Sequence, residues 1–524
     1  MMINTQSLKK NRTGYFQMLG FCMLLLSSGM LFGQNKSGLP NIVYILADDL
    51  GYGDVSVNNL QGKINTPNID KLAKQGMRFT DAHTTSSVCT PSRYSILTGR
   101  YPWRSRLPIG VLRGYSRTLI EEGLPTVADL LKTKSYQTAV VGKWHLGLDW
   151  VPQDAFKDSL KPENNKNNLY GILDEMKPEQ IDFSKAPSRG PRTQGFDYSF
   201  VLPASLDMPP YVYLENDKLI EQPTGYTKGN KLESGYTGPF YREGLMAPSF
   251  DFFDVLPFFT RKANDFISKQ KNSKDPFFLY FAMPAPHTPW MPGKNYIGKS
   301  KAGEYGDYVQ EVDDAVGMVM HLLDSLGMSK NTMVVFTSDN GPYWRENFVQ
   351  QFDHKAAGEF RGMKGDAFEG GHRVPLIVRY PGKVQAGTVS GVATTLANFM
   401  STCADLIGNH SEKFETEDSY SILPILTGKA TTIPDQEAIV NISSKGTLDI
   451  RKGSWKLITK LGSGGFTVPV DVKPEPGGPI GQLYNLETDI HEDHNLYKEN
   501  PEKVKELMEL LKKIQKAPKG KKIK

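Results

Sequence analysis

Short, nearly continuous apolar runs recur along the chain, and each stops abruptly at polar residues. "NIVYILADDLGYGD" (41–54) is uninterrupted from Ile42 to Ala47 and then breaks into Asp48, Asp49 and glycines. "TAVVGKW" (138–144), "DPFFLYFAMPAPHTPW" (275–290), "NTMVVFTSDNGP" (331–342) and "RVPLIVRYPG" (373–382) repeat the form. A run without alternation fits a strand covered on both faces, as in a parallel sheet. Between these runs the period changes. "TPNIDKLAKQG" (66–76) and "LPTVADLLKTKSY" (124–136) have helical spacing, the first ending at glycine. "CTPSRYSILTGR" (89–100) and "YGDYVQEVDDAVGMVMHLLDSLG" (305–327) also read as helices. The alternation predicts an α/β fold, a large mixed, mainly parallel sheet with helices on both faces.

Two regions depart from this rhythm. Residues 150–260 are rich in Pro, Asn, Tyr and Gly with weak periodicity. They read as long loops and short elements inserted beside the sheet, a surface for substrate recognition. From about residue 430 the chain carries "EAIVNIS", "LDIRKGSWKLIT" and "GQLYNLETD", then the helical "PEKVKELMELLKKIQK" (501–516). That predicts a small antiparallel subdomain with a helix, so the expected division is 34–430 and 431–524.

Residues 1–33 stand apart. Lys9, Lys10 and Arg12 precede "MLGFCMLLLSSGMLFG" (18–33), which reads as a cleaved secretory signal peptide. The run is short for a membrane anchor, which needs about 20 apolar residues, and Cys22 at its start is badly placed for lipid attachment. The protein is therefore expected to be exported, periplasmic or secreted, with no transmembrane segment after cleavage. The formal charge is +5, but the leader cations and the lysine-rich tail "KKIQKAPKGKKIK" (512–524) account for it. The body between them is net acidic, which argues against a nucleic-acid partner.

Without the leader two cysteines remain, Cys89 and Cys403, too few for a disulfide framework. "FMSTCADLIG" (399–408) reads as an apolar helix, making Cys403 a small buried hydrophobe. Cys89 has no such explanation.

In open α/β sheets ligands bind beyond the carboxyl ends of the strands. There the chain places Asp48 and Asp49, Lys143 and His145, His287, and Asp339 and Asn340. Any one of these alone reads as turn chemistry, but several ends on one rim point to a site. Three carboxylates and an amide oxygen suit Ca²⁺ or Mg²⁺. Arg93, Lys143, His145, His287 and Lys364 add cationic or protonatable groups, suited to a compact anion such as sulfate or phosphate.

"CTPSR" (89–93) matches the C-x-P-S-R signature of type I, formylglycine-dependent sulfatases, and "LTGRYPWR" (97–104) resembles its continuation. The companion motifs "ADDLGYGD", "GKWHLG", "PHTPW", "SDNGP" and "FRGMKGDAFEGGHRVP" (360–375) also match in the family's order, and the resemblance extends to "GQLYNLETDIHEDHNL" (481–496). The chain most resembles exported bacterial carbohydrate sulfatases and the N-acetylgalactosamine-6-sulfatase type, with an alkaline-phosphatase-like fold.

The resemblance implies that a maturation enzyme oxidises Cys89 to Cα-formylglycine. One hydroxyl of the hydrated aldehyde attacks sulfur, and deprotonating the other expels sulfate. It further implies that Asp48, Asp49, Asp339 and Asn340, with residue 89, hold one Ca²⁺ per chain. Arg93 would stabilise the diol, and Lys143 and Lys364 would contact sulfate. His145 would take the second hydroxyl's proton and His287 would protonate the leaving oxygen. The implied substrate is a sulfated glycan of galactose or N-acetylgalactosamine type, with the 6-O position favoured by the same resemblance.

Other residues are open to more than one reading. His354, Arg361 and Trp103 are candidates for substrate contact, although Arg361 is more simply paired with an acid and His354 is equally well an exposed loop residue. Trp144 and Trp290 could line a sugar wall or pack in the core. His83, Glu369, His372 and Arg373 read as structural. A phosphatase, phosphodiesterase or phosphonate hydrolase would more commonly carry Ser or Thr with zinc ligands. An inactive glycan-binding relative would lack a nucleophile or ligand, and none is missing.

Overall fold

A computed structural model describes residues 38–157, 174–230 and 238–518. The leader 1–33, with Cys22, and the last lysines of the tail lie outside the described residues. Among the described residues no helix is long and apolar enough to cross a membrane.

The centre is a ten-stranded sheet. In chain order its strands are β1 (Asn41–Asp48), β2 (Met77–Phe79), β3 (Gln137–Lys143), β4 (Tyr198–Leu202), β5 (Leu214–Glu215), β6 (Lys218–Leu219), β7 (Phe277–Pro286), β8 (Thr332–Ser338), β9 (Leu376–Arg379) and β10 (Thr388–Ser390). Their spatial order is β10-β2-β9-β8-β1-β7-β3-β4-β5-β6. From β8 to β4 every pairing is parallel, with Ile42 opposite Phe278 and Met333. β8–β9, β9–β2, β4–β5 and β5–β6 are antiparallel. β1 is buried throughout, as its unbroken apolar run requires.

Neighbouring residues of β7 show how both faces are covered. Phe277 meets Phe266 of helix Val255–Lys269, whereas Phe278 meets Phe399 of helix Phe399–Ile407. Successive strand residues point to opposite faces, so the two helices sandwich the sheet. Cys403, on the second of these helices, is fully buried, as expected of a small core residue.

Residues 150–260 do more than decorate the sheet. They supply β4, a parallel neighbour of β3, then β5 and the edge strand β6, and the start of helix Val255–Lys269. β4 has only five residues, too short to stand out among prolines and glycines. Residues 158–173 and 231–237 of that segment are outside the described residues.

The second sheet is antiparallel, β11 (Ile439–Ile442), β12 (Leu448–Lys452), β13 (Trp455–Ile458) and β14 (Gln482–Asn485), paired in that order. Helix Pro501–Gln515 packs Val504, Leu507, Leu511 and Ile514 onto Val440, Ile450, Leu457 and Leu483. Tyr101 of the main sheet's domain joins this cluster, and Ala367 and Phe368 insert among Ile458, Tyr484 and Leu486.

Candidate active site

Adjacent carboxyl ends of parallel strands converge on one point. β1 delivers Asp48 and Asp49, the latter in the left-handed region at φ 64°. β8 is followed by Asp339 and Asn340, β3 ends at Lys143, and β7 runs into His287. Cys89 begins a helix, Cys89–Thr98, that is buried over its whole length and closes at Gly99 in the left-handed conformation.

The charges interlock. Lys143 Nζ donates to Asp48 Oδ2 across 2.6 Å, and Lys364 Nζ donates to Asp49 Oδ2 across 2.8 Å. Arg93 Nε donates to Asp339 Oδ2 across 2.8 Å, and another guanidinium nitrogen donates to the Lys143 carbonyl across 2.9 Å. Burial works against ionised Asp48, but Lys143, His287 and Arg93 outweigh it and hold the carboxyl below its ordinary range. Asp339 goes the other way: burial, then the Asp48 charge, raise its carboxyl despite Arg93. Burial opposes the charges of Lys143 and Lys364, yet Asp48 and Asp49 respectively leave each ammonium more firmly protonated than usual.

Cys89 Sγ lies 3.5 Å from Asp48 Oδ1. Burial and then Asp339 push the thiol well above its ordinary range, Lys143 and Lys364 offsetting them only in part. An unmodified cysteine here is a protonated thiol, a poor nucleophile.

The histidines differ in their hydrogen bonds. His145 Nε2 is 2.8 Å from the Leu112 carbonyl, which only accepts, so Nε2 carries the proton. Its Nδ1 is buried without a hydrogen-bond partner. Burial, Lys143 and Arg93 keep the ring neutral by lowering its pKa well below the usual value. His287 Nδ1 lies 2.6 Å from the Thr288 carbonyl and 3.3 Å from Ser205 Oγ, while Nε2 lies 3.7 Å from Asp49.

The donor set fits a hard cation. Asn340 Nδ2 donates to Asp49 Oδ1 (2.7 Å) and the Gly341 carbonyl (2.9 Å), leaving its Oδ1 buried and without a hydrogen-bond partner. A buried carbonyl oxygen beside three carboxylates matches an oxygen-ligated divalent ion. Asp48, Asp49, Cys89 and His287 each offer a ligand atom within 4.8 Å of one another. Asp339 Oδ2 is turned to Arg93, while Oδ1 accepts from Asp49 N across 3.3 Å.

A cavity of about 580 Å³ opens above this floor, lined by Asp49, Cys89, His145, His287 and Lys364. Its lining also includes residues that nothing in the sequence singled out. Asp207 and Arg242, which pair with each other, belong to the segment read as loops. Tyr343 follows the "SDNG" motif, and Phe466 arrives from the C-terminal region; their rings meet at 5.6 Å. Abundant aromatic and polar residues in 150–260 were the only signal for the first pair, and nothing marked Phe466.

None of the three substrate-contact candidates lines the cavity. His354 is buried, its Nε2 2.7 Å from Asp54 Oδ1 and its Nδ1 accepting from Lys63 N. It therefore braces its loop. Arg361 stacks over Phe368 and donates to the Glu492 carbonyl, not to an acid side chain. Trp103 stacks on Tyr101 at 4.3 Å against the C-terminal cluster. Trp144 is core, its Nε1 bonded to the Gly147 carbonyl, but Trp290 does line the cavity. His83, Glu369, His372 and Arg373 form a buried network away from it.

Residues 40–409 match the family model described as Sulfatase. The chain is 35% identical to the N-acetylgalactosamine-6-O-sulfatase of Bacteroides thetaiotaomicron, covering 92% of this chain and 94% of that protein. It is 31% identical to human arylsulfatase A, covering 94% of this chain and 89% of the relative. A solved structure from work on the metabolism of multiple glycosaminoglycans by Bacteroides thetaiotaomicron superposes with a TM-score of 0.76 at 32% identity, covering 93% of this chain and all of that one.

Proposed function

The chain belongs to the sulfatase family, a hydrolase of carbohydrate sulfate esters, and from that premise we propose that its substrate is a 6-O-sulfated galactose or N-acetylgalactosamine unit. The 6-O assignment is supported by the name of the Bacteroides relative, which is 35% identical. We further propose that the protein is exported by cleavage after residue 33, and that residues 34–430 form the catalytic domain with 431–524 as its C-terminal subdomain.

The observation that carries the chemistry is the position of Cys89. Its sulfur sits at the cavity floor, 3.5 Å from a carboxylate and beside Lys143 and Lys364. The match of Cys89–Arg93 to the C-x-P-S-R signature supports a modified form of this residue as the working one. Oxidation to Cα-formylglycine by a maturation enzyme would supply, as the hydrate, a hydroxyl nucleophile and a second hydroxyl whose ionisation releases sulfate. Asp48, Asp49, Asp339 and Asn340 would hold Ca²⁺, which supplies positive charge opposite the sulfate oxygens and favours ionisation at position 89.

The remaining work falls to this chain's side chains. Lys364 borders the cavity and Lys143 lies behind Asp48, so both offset charge where a sulfate would sit. Arg93 holds Asp339 in place and keeps the helix start at Cys89 registered to β3. The bare Nδ1 of His145 is the proton acceptor available to residue 89. His287 protonates the departing sugar oxygen from Nε2, with Nδ1 fixed by the Thr288 carbonyl.

Mass spectrometry of the peptide containing Cys89, from enzyme co-expressed with a maturation enzyme, should show loss of the thiol and gain of an aldehyde. The same preparation should release sulfate from 6-O-sulfated galactose or N-acetylgalactosamine and not from the 4-O isomers. Active enzyme bearing only cysteine would overturn the nucleophile, and a preference for another position would overturn the substrate.

A further inference from the structure

Lys364 and Phe466 both line the cavity, about a hundred residues apart in sequence. One buried group joins their backbones. Asp366, two residues beyond Lys364, has no exposure to solvent. Its Oδ2 accepts from Met363 N across 2.9 Å and from the Thr467 hydroxyl. Its Oδ1 accepts from Phe466 N across 2.6 Å and Thr467 N across 3.0 Å. A buried carboxylate needs such donors, and here they come from both segments.

The contact between the segments is close enough to exclude adjustment. A Cβ on Gly465 would lie 2.2 Å from the Gly365 carbonyl oxygen, and one on Gly365 would lie 2.9 Å from the Phe466 ring. Gly365 is also tied on both sides, its N–H donating to the Ser87 carbonyl (2.8 Å) and its carbonyl accepting from Ser444 N (2.9 Å). Ser87 donates its hydroxyl to the Asp366 carbonyl and is two residues from Cys89. Lys364 N donates to the Pro342 carbonyl, next to Tyr343, the residue whose ring meets Phe466.

We propose that Asp366 is a positioning residue: its carboxylate locks the loop carrying Lys364 to the segment carrying Phe466, so that one buried group sets how Lys364 and the Phe466 ring stand to each other in the cavity lining. The inference rests on the sulfatase reading for its catalytic consequence, but the coupling between the two loops is a property of the fold itself. Displacements of an ångström in such a frame are enough to cost a hundredfold in rate.

Asp366→Asn keeps the shape and turns an amide N–H₂ toward N–H donors. On 4-nitrophenyl sulfate, which has the anion and no sugar, it should lower kcat/KM about tenfold through Lys364. On a sulfated sugar the loss should be larger, with KM rising as the Phe466 ring shifts. Thr467→Val removes only the hydroxyl bond from the Phe466 segment. It should raise KM for the sugar and leave 4-nitrophenyl sulfate turnover unchanged, and Thr467→Ser should restore the wild-type value. Hydrogen exchange provides a readout independent of turnover: in Asp366→Asn the amides of 363–367 and of 463–467 should lose protection together. Loss in only one segment, or variants that melt earlier while their folded fraction keeps wild-type kcat and KM, would overturn the proposal. Wild-type enzyme that releases no sulfate from either substrate would instead overturn the function, with the exchange experiment still deciding the coupling.

Discussion

Arg93 and Asp339 are joined through two guanidinium nitrogens, Nε and a terminal nitrogen, each 2.8 Å from the same carboxylate oxygen, with neither side chain reaching solvent. Asp48 Oδ1 lies 3.8 Å from the terminal nitrogen. The fork therefore serves two carboxylates that would otherwise repel each other in a medium of low polarity. Removing one partner of a buried pair costs about 3–5 kcal/mol, because the other charge is left uncompensated. Arg93→Ala is expected to lower the unfolding free energy by that amount in urea melts. Arg93→Lys, which keeps charge but loses the fork, should fall between it and wild type.

Ca²⁺ should act in the opposite direction. If Asp48, Asp49, Asp339 and Asn340 hold the ion in the folded state only, Ca²⁺ at a hundred times its dissociation constant adds about 2.7 kcal/mol. Metal-free enzyme prepared with a chelator is expected to melt lower and recover on addition of Ca²⁺. Asn340→Leu removes the orphan oxygen and should shrink that recovery. A melting temperature indifferent to Ca²⁺ would remove the site assignment.

The role of His287 can be read from the leaving group. A sugar alkoxide departs poorly without a proton, whereas 4-nitrophenolate needs none. His287→Ala is expected to lower kcat by about 10²–10⁴ on a sulfated sugar and much less on 4-nitrophenyl sulfate. An equal loss on both would mean that His287 acts on the anion and not on the leaving oxygen.

Glu311 offers a test of pH dependence outside the site. Burial, opposed by the Gly293 N–H and reinforced by Asp314, pushes its carboxyl from 4.5 up to about 7. Oε2 accepts from Gly293 N across 2.9 Å, while Oε1 is buried without a hydrogen-bond partner. The folded state thus holds a proton that the unfolded chain releases from about pH 4.5 upward. The folded state is progressively disfavoured as pH rises from there to about 7, by up to about 3 kcal/mol. Glu311→Gln keeps the accepting oxygen and cannot ionise. It should be more stable than wild type at pH 8, with the difference vanishing near pH 4, in paired urea melts.

The parallel core was legible because strands buried on both faces leave unbroken apolar runs, and β1, β3, β7 and β8 each show one. The same logic placed Asp48, Asp49, Lys143, His287, Asp339 and Asn340 on one rim, since a parallel sheet sends all its carboxyl ends to one side. Two-residue strands carry no such mark: β5 and β6 are that short, and nothing in the sequence singles out Asp207 just before them. His354 and Arg361 show a different limit. Both lie close to site motifs in sequence, but proximity in sequence does not fix direction, and each side chain turns away from the cavity to brace a loop. Phe466 could not be found at all, because its place depends on how the C-terminal region folds back over the cavity.

Lys456, on β13, is one of the ties that hold that fold-back, its ammonium reaching Glu369 in the segment that follows Lys364. Its Nζ lies 3.0 Å from Glu369, 2.9 Å from Glu492 and 3.1 Å from His372 Nε2, all wholly or nearly wholly buried. Glu492 also accepts from Glu369 N across 2.8 Å, so acid and base from the C-terminal region clamp the start of the short helix Glu369–His372. Burial, and then Lys456 working against it, set the state of Glu492, whose carboxyl ends above its ordinary range. Lys456→Met removes the opposing charge and should raise that carboxyl further, so the variant holds a proton where the unfolded chain does not. Its deficit relative to wild type, about 3–5 kcal/mol at pH 8, should therefore narrow as pH falls toward 5. Adding Glu492→Gln to Lys456→Met should recover part of the loss at pH 8 and flatten the pH dependence. Urea melts at the two pH values check both, and a deficit that stays constant with pH would show that Lys456 contributes packing and not charge.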